Sequence, residues 1–361
     1  MPVCGIIAEY NPLHEGHLYH IARTRELLPD GAFLVCVLSG HAVQRGDFPI
    51  LTKYARTKMA LRAGFDLVFE LPSVYACAPA ERFARAAVEI LAALGVITHL
   101  SFGAETPDTG ALRAAAARPG VYPKDMTLAS AMPALFPGSA GLYTPNNILA
   151  IEYLRALRDI APHIEPLAVG RHGDAHDGGS RSAGAIRRRV MNGESPGLPF
   201  PDIWEEEVSS GRAPIFLERQ QGAVLSYLRR MTAGGWERVP DTRGGLSGRL
   251  IGAVSQAGTL DELFRVAKTK RYTMARLRRC VLCAFLGITS EMSERHPPLR
   301  LLGIGKRGNE LLAHIKAPLI SRPAAFKEGL SFESAVTDQL ALCMPDAQPT
   351  GMEWREGVVK G

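Results

Sequence analysis

The run Val3-Cys4-Gly5-Ile6-Ile7-Ala8-Glu9 carries no charge before its last residue and breaks at once into Tyr10-Asn11-Pro12-Leu13-His14-Glu15-Gly16-His17. So short an apolar run, bounded by turn residues, predicts a buried strand. A strand apolar on both faces must be covered on both, which is the condition of a parallel sheet flanked by helices. Pro12 forces a turn, Gly16 permits close backbone approach, and the stretch His17 to Leu28 predicts a helix. Strand, turn and helix in this order restrict the start of the chain to an open α/β fold.

The alternation continues. Strands are predicted at Phe33 to Ser39, Leu67 to Glu70, His99 to Phe102 and Glu165 to Gly170, with helices at Lys53 to Ala63, Pro79 to Leu94 and Asn146 to Asp159. The expected fold is a Rossmann-like parallel sheet with helices on both faces. Ligands of such sheets lie beyond the carboxyl ends of the strands, which directs attention to Tyr10–Gly16, Gly40–Asp47, Leu71–Ser73 and Gly103–Glu105. After Asn192, Pro196, Gly197, Pro199 and Pro201 read as a linker, and the chain beyond them has a helical period. A length of 361 residues suits two domains, expected here over 1–190 and, mainly α-helical, over 191–361.

His14 and His17 stand three residues apart where the first helix starts. A helix N-terminus carries unpaired N–H groups and the positive end of the dipole, both of which attract phosphate. Two imidazoles there can donate to the oxygens of a nucleotide, and donors already aimed at an attacked α-phosphate stabilise the charge that develops on it and on departing pyrophosphate. Out of context the same pair reads as solvated surface histidines or, with His20, as a metal cluster. The order strand, proline turn, His-x-Gly-His, helix favours the nucleotide.

Composition narrows the rest. With 46% hydrophobic and 22% charged residues the chain is neither disordered, collagenous nor coiled coil. No stretch approaches the ~20 apolar residues of a membrane span, and Met1 to Gly5 lacks the basic lead of a signal peptide. A cytoplasmic protein with no membrane partner is expected. Six cysteines scattered among apolar neighbours predict reduced core thiols, and Cys280-x-x-Cys283 has no second ligand pair close in sequence, so no bound metal is expected from it. A net charge of +6, from 33 arginines and nine lysines against 36 acids, is weak support for a polyanionic partner.

Pro12-x-His14-x-Gly16-His17 after a first strand resembles the signature of the HxGH nucleotidyltransferase superfamily. The longer run Glu9 to His20 resembles the bacterial tRNA(Met) cytidine acetate ligase family. Ser39-Gly40-His41, Gln44-Arg45-Gly46, Lys53 to Ala60, Phe69-Glu70-Leu71-Pro72, Phe102 to Glu105, Pro145 to Ala150 and Lys268 to Thr273 resemble that family in the same order, densely as far as Arg189. The resemblance implies an ATP-dependent ligase acting on the wobble cytidine of elongator tRNA(Met). ATP and acetate would give acetyladenylate with loss of pyrophosphate, and the exocyclic amine of cytidine would take the acetyl group to form N4-acetylcytidine. Mg²⁺ is the expected companion of ATP.

The resemblance further implies His14 and His17 as catalytic residues. It places ATP contacts at Ile7, Ala8, Glu9, Tyr10, Asn11, Pro12, Leu13, Gly16, Leu18, Tyr19 and His20, and at Gly103, Asn146 and Arg171. Gly103 would let the adenine or ribose approach backbone, Asn146 offers a paired donor and acceptor, and Arg171 can clamp phosphate. Read alone, these three are a turn glycine, a helix N-cap and a surface charge. Ser182 and Arg187 lie where the superfamily places a second, phosphate-closing motif. Two departures fall nearby: Gly184 stands where the family is expected to have threonine, and the segment around Ala175, His172 to Asp177, is one residue short and lacks a tyrosine.

His41, Gln44, Arg45, Lys53 and Arg56 form a second polar group. Arg45 and Lys53 read either as ligands of acetate or tRNA phosphate or as a solvated loop and helix face. Glu70 could hold Mg²⁺ indirectly or orient a histidine. Between Arg265 and Arg279 there are seven basic residues and no acid, with Tyr272 interleaved as a stacking surface. tRNA contacts are expected at Arg265, Lys268, Lys270, Arg271 and Arg276, the alternative being a solvated helix face. Two other functions stay open: an adenylyltransferase for a small phosphorylated metabolite, and a non-catalytic RNA-binding relative.

Overall fold

The structure is a computed structural model that describes residues 1–118, 140–170 and 182–361. β1 (Val3–Ala8), β2 (Phe33–Ser39), β3 (Leu67–Leu71), β4 (His99–Ala104) and β5 (Glu165–Gly170) run parallel in one sheet. Every residue of β2 is buried, as a strand covered on both faces requires. The strand order is β5-β4-β1-β2-β3, so the chain leaves β1 in one direction and returns to its other side with β4. That reversal opens a crevice at the carboxyl ends of β1 and β4.

Helices α1 (Glu15–Glu26) and α2 (Lys53–Arg62) cover one face; the helices Ala80–Ala93 and Pro145–Ile160 cover the other. Gly5 sets the second packing distance. A Cβ at Gly5 would fall 2.7 Å from the Leu91 side chain, so only glycine lets the Ala80–Ala93 helix lie directly on β1.

Beyond residue 190 the chain is mostly helical, yet it returns to the sheet. β6 (Leu301–Ile304) pairs antiparallel with β3, placing Gly303 opposite Val68, and β7 (Val359–Lys360) pairs with β6. Four residues are too few for periodicity to tell strand from helix, which is why β6 has no counterpart in the sequence reading. The apolar core on the Ala80–Ala93 face continues without a break into Leu250, Leu277 and Val281 of the helical segment.

Candidate active site

α1 begins at Glu15, two residues before the sequence predicts, because the two histidines build its cap. His14 is the N-cap, with Nδ1 accepting from the Gly16 N–H at 3.1 Å, while Nδ1 of His17 accepts from the His14 N–H at 3.2 Å. This is the reciprocal geometry of a capping box with imidazoles in place of serine and glutamate. Since each Nδ1 accepts, the hydrogen bonds assign the Nε2–H tautomer to both neutral rings. The rings lie close together, centroids 3.9 Å apart. The helix backbone therefore fixes two N–H donors side by side at its own positive end.

The turn before the cap is held from three directions. Tyr10 has φ 46°, a left-handed conformation unusual for an aromatic residue, and its buried ring packs edge-on to His17 at 5.0 Å. Asn11 Oδ1 accepts from the Ile50 N–H at 3.0 Å, and the Asn11 carbonyl accepts from Arg187 at 2.6 Å. Leu13 points into the core. Of the expected ATP segment, Ile7, Ala8 and Glu9 are half-buried at the end of β1, Pro12 is buried, Leu18 is half-buried and Tyr19 is exposed.

Arg56 ties this turn to the second strand. It is fully buried and donates from Nη1 to the carbonyls of Glu9 and Ser39, both at 2.8 Å, from Nη2 to that of Gly40, and from Nε to that of Leu51 at 3.2 Å. Parallel strands diverge where their ladder ends, and here one guanidinium supplies the missing donors. Glu9 accepts from the Gln44 N–H at 2.6 Å; burial raises its pKa, outweighing that bond and the nearby Arg187, Arg45 and Arg56.

β4 and the helix after it form the opposite wall. Gly103 lies inside β4, half-buried. Asn146 is not the N-cap its position suggested. Thr144 is, and the cap is made by Glu105: its carboxylate accepts from Thr144 Oγ1 at 2.8 Å, Asn146 Nδ2 at 2.6 Å and the Asn147 N–H at 3.0 Å. Burial raises the Glu105 pKa, but those hydrogen bonds prevail and hold it below the usual range. The sequence places Glu105 just beyond the carboxyl end of β4 but gives no sign of its capping role, since the helix it caps starts about 40 residues away.

His20 lies one turn further along α1 and faces β4 rather than the crevice mouth. Its Nε2 lies 2.9 Å from Ser101 Oγ, and desolvation lowers its pKa to about 4. The unfolded chain then binds the extra proton between pH ~6.5 and about 4, so stability is expected to fall as pH drops through that window. Urea unfolding against pH checks this, and His20→Gln should flatten that part of the profile.

Ser182 caps the helix Ala183–Met191, with Oγ accepting from the Ala185 N–H at 3.2 Å, and Arg187 on that helix is the residue that reaches the Asn11 carbonyl of the signature turn. The segment expected to carry a second motif is thus in contact with the turn of the first. A Cβ at Gly184 would meet nothing closer than 3.7 Å, so a side chain fits. Gly184→Ala is expected to stabilise the protein by roughly 0.5–1 kcal/mol, read from the urea midpoint. Arg171 and Ala175 lie outside the described residues.

His41, Lys53 and Arg56 of the second polar group are placed differently from either expectation for it. Lys53 is fully buried and pairs with Glu70 at 2.6 Å and Glu353 at 2.8 Å; Arg300 closes the cluster by pairing with both glutamates. Glu70 is spent on those two cationic side chains and is not directed at a metal ion or at a histidine. His41, also fully buried, accepts from the Lys53 N–H at 3.0 Å and meets Thr337 Oγ1 at 2.9 Å. These residues join α2 and β3 to the C-terminal helices instead of facing a ligand. Gln44 lines the turn through its bond to Glu9, and Arg45 is exposed.

The basic run divides. Arg265, Lys268 and Lys270 are exposed and Arg271 is half-buried. Arg276 and Arg279 pair with Asp241 at 3.1 and 3.2 Å, and Arg278 with Asp47 at 3.6 Å. Tyr272 is not a stacking surface. It is buried between Arg271 and Arg276, with its hydroxyl donating to the Gly244 carbonyl at 2.8 Å.

A parallel sheet whose switch point carries paired imidazoles on a helix N-terminus defines a nucleotide-binding protein built for transfer at phosphorus. Comparison with known proteins agrees. The HIGH Nucleotidyl Transferase family profile matches residues 1–351. The tRNA(Met) cytidine acetate ligase of Acetivibrio thermocellus is 34% identical over 99% of this chain and 100% of its own length. That of a Thermoanaerobacter species is 33% identical over the whole of both. Among solved structures, Thermotoga maritima TmcAL bound with alpha-thio ATP superposes with a TM-score of 0.90 at 27% identity, covering 100% of this chain and 99% of that one; its apo form gives 0.91. The chain belongs to the HIGH nucleotidyltransferase family and, within it, to the tRNA(Met) cytidine acetate ligases.

Proposed function

We propose that this chain converts the wobble cytidine of elongator tRNA(Met) to N4-acetylcytidine, using ATP and acetate. The observation that carries the reading is the reciprocal cap of His14 and His17 at the switch point, in a chain similar over its full length to the named ligases. In the first step an acetate oxygen attacks the α-phosphorus, the bond to the bridging oxygen of the β-phosphate breaks, and pyrophosphate leaves. The Nε2–H groups of His14 and His17 donate to the oxygens on which charge builds, already in place before ATP arrives. In the second step the cytidine amine attacks the acetyl carbon, AMP leaves, and the nitrogen gives up one proton.

Gly16 supports a nucleotide at this point. A Cβ there would fall 2.9 Å from Cε1 of His14, so only glycine leaves the ring in its cap position. Gly103 and Asn146 would line the adenosine side, with the amide of Asn146 oriented by Glu105. Arg171, Ser182 and Arg187 would close over the phosphates. The described residues contain no group of three or more side chains able to hold a metal; Mg²⁺ is proposed to enter on the triphosphate, as is usual for that ion. Residues 1–190 would bind ATP and acetate, and the helical remainder would bind tRNA.

The test is to incubate the protein with ATP, Mg²⁺, labelled acetate and unmodified elongator tRNA(Met), then digest the RNA. Labelled N4-acetylcytidine at the wobble position is expected. Acetyladenylate without labelled nucleoside would reject the acceptor, and absence of both would reject the reaction.

A further inference from the structure

The cations the sequence put forward for RNA are partly committed to aspartates, whereas two that no motif singled out pair with no carboxylate among the described residues. Arg230 and Arg238 are exposed and line one groove of about 430 Å³ in the helical segment, and among the described residues no carboxylate lines it with them. The groove runs between the helices Gln221–Arg230, Ala233–Arg238 and Met274–Leu286. Tyr227 lines it too and leaves 45% of its surface in solvent, while Phe285 braces its ring edge-on at 6.1 Å and 82°. Met231 and Ile288 give the groove an apolar lining.

From this geometry we propose that the groove takes an unpaired nucleotide of the tRNA substrate, its base stacked on Tyr227 and its phosphates between Arg230 and Arg238. The inference rests on the tRNA reading of the function and adds a second place of contact to it. A braced aromatic face beside these two arginines fits single-stranded RNA better than a duplex, because an unpaired base exposes its face while a paired base is already stacked. Charge agrees, since a groove with two guanidiniums and no acid attracts a polyanion. An acidic peptide would meet the same charge; the braced tyrosine face is what favours a base, and a protein partner is the other outcome of the test.

Binding of unmodified elongator tRNA(Met) by fluorescence anisotropy, between roughly 50 and 200 mM salt, provides the test. Tyr227→Ala is expected to weaken affinity about tenfold, as loss of one base stack does, and Tyr227→Phe to retain it. Replacing Arg230 and Arg238 together by alanine is expected to lower the slope of log affinity against log salt by about 1.4, since each single-strand phosphate contact contributes ~0.7. Thermal midpoints equal to wild type would show that the variants fold. Wild-type affinity and slope in both variants would overturn the proposal and leave the groove to a protein partner. Failure of the unaltered protein to bind tRNA would instead overturn the reading on which it rests.

Discussion

Alanine at His17 is expected to slow acetate-dependent pyrophosphate release by roughly 10²–10³-fold, the usual cost of removing one donor aimed at developing charge. The same change removes the acceptor for the His14 N–H. Because that group is only partly buried, water can replace the lost bond, and the stability cost should stay near ~1 kcal/mol. tRNA affinity should be unchanged. Pyrophosphate release, urea unfolding and tRNA binding on one preparation separate these effects. A variant that keeps its rate would mean that the phosphate donors lie elsewhere in the crevice.

Methionine at Lys53 is expected to destabilise the protein by about 3–5 kcal/mol, because it leaves two buried glutamates with Arg300 as their only ionic partner among the described residues. The intact cluster pairs two cations with two carboxylates, Glu70 and Glu353, beside a third buried carboxyl, Glu333, whose pKa burial and Glu70 raise to about 7. Burial and the nearby Arg300 lower the Lys53 pKa to about 8, against the pull of Glu70. For Glu70, burial raises the pKa but Lys53 and Arg300 prevail and hold it low. Adding Glu353→Gln to Lys53→Met restores the balance with one ion pair and should recover part of the loss. Urea midpoints of the single and double variants decide this, and a loss below ~1 kcal/mol for the single variant would show that water reaches the cluster.

The sheet was legible in the sequence where its strands are continuous apolar runs, as in β2, and the candidate site was legible where turn, glycine and histidines are adjacent. The first helix starts earlier than predicted because histidine performs a capping task usual for serine or aspartate, a role visible only in the hydrogen bonds. Lys53 and Arg56 sit in KYARTKMALR, which reads as a polar helix; their partners are carbonyls of other loops and a glutamate 300 residues on. The capping role of Glu105 escaped for the same reason, while β6 was also too short to show a period. Local patterns report what neighbours in sequence do, and buried charges and edge strands are decided by residues far away. Tyr272 illustrates the opposite error: its composition suggested a surface, and the two flanking arginines cover it.

The pairing of β3 with β6 also bears on the life of the nascent chain. Val68 meets Gly303, 235 residues later. At roughly 5–20 residues per second of synthesis, the outer edge of β3 waits about 10–50 s for its partner. During that interval the five parallel strands can assemble with the β3 edge bare, which invites pairing with another unfinished copy. Contacts this distant also make the closing step of folding slow. A ribosome-stalled chain ending before Leu301 should therefore depend on chaperones far more than one extending past the last strand.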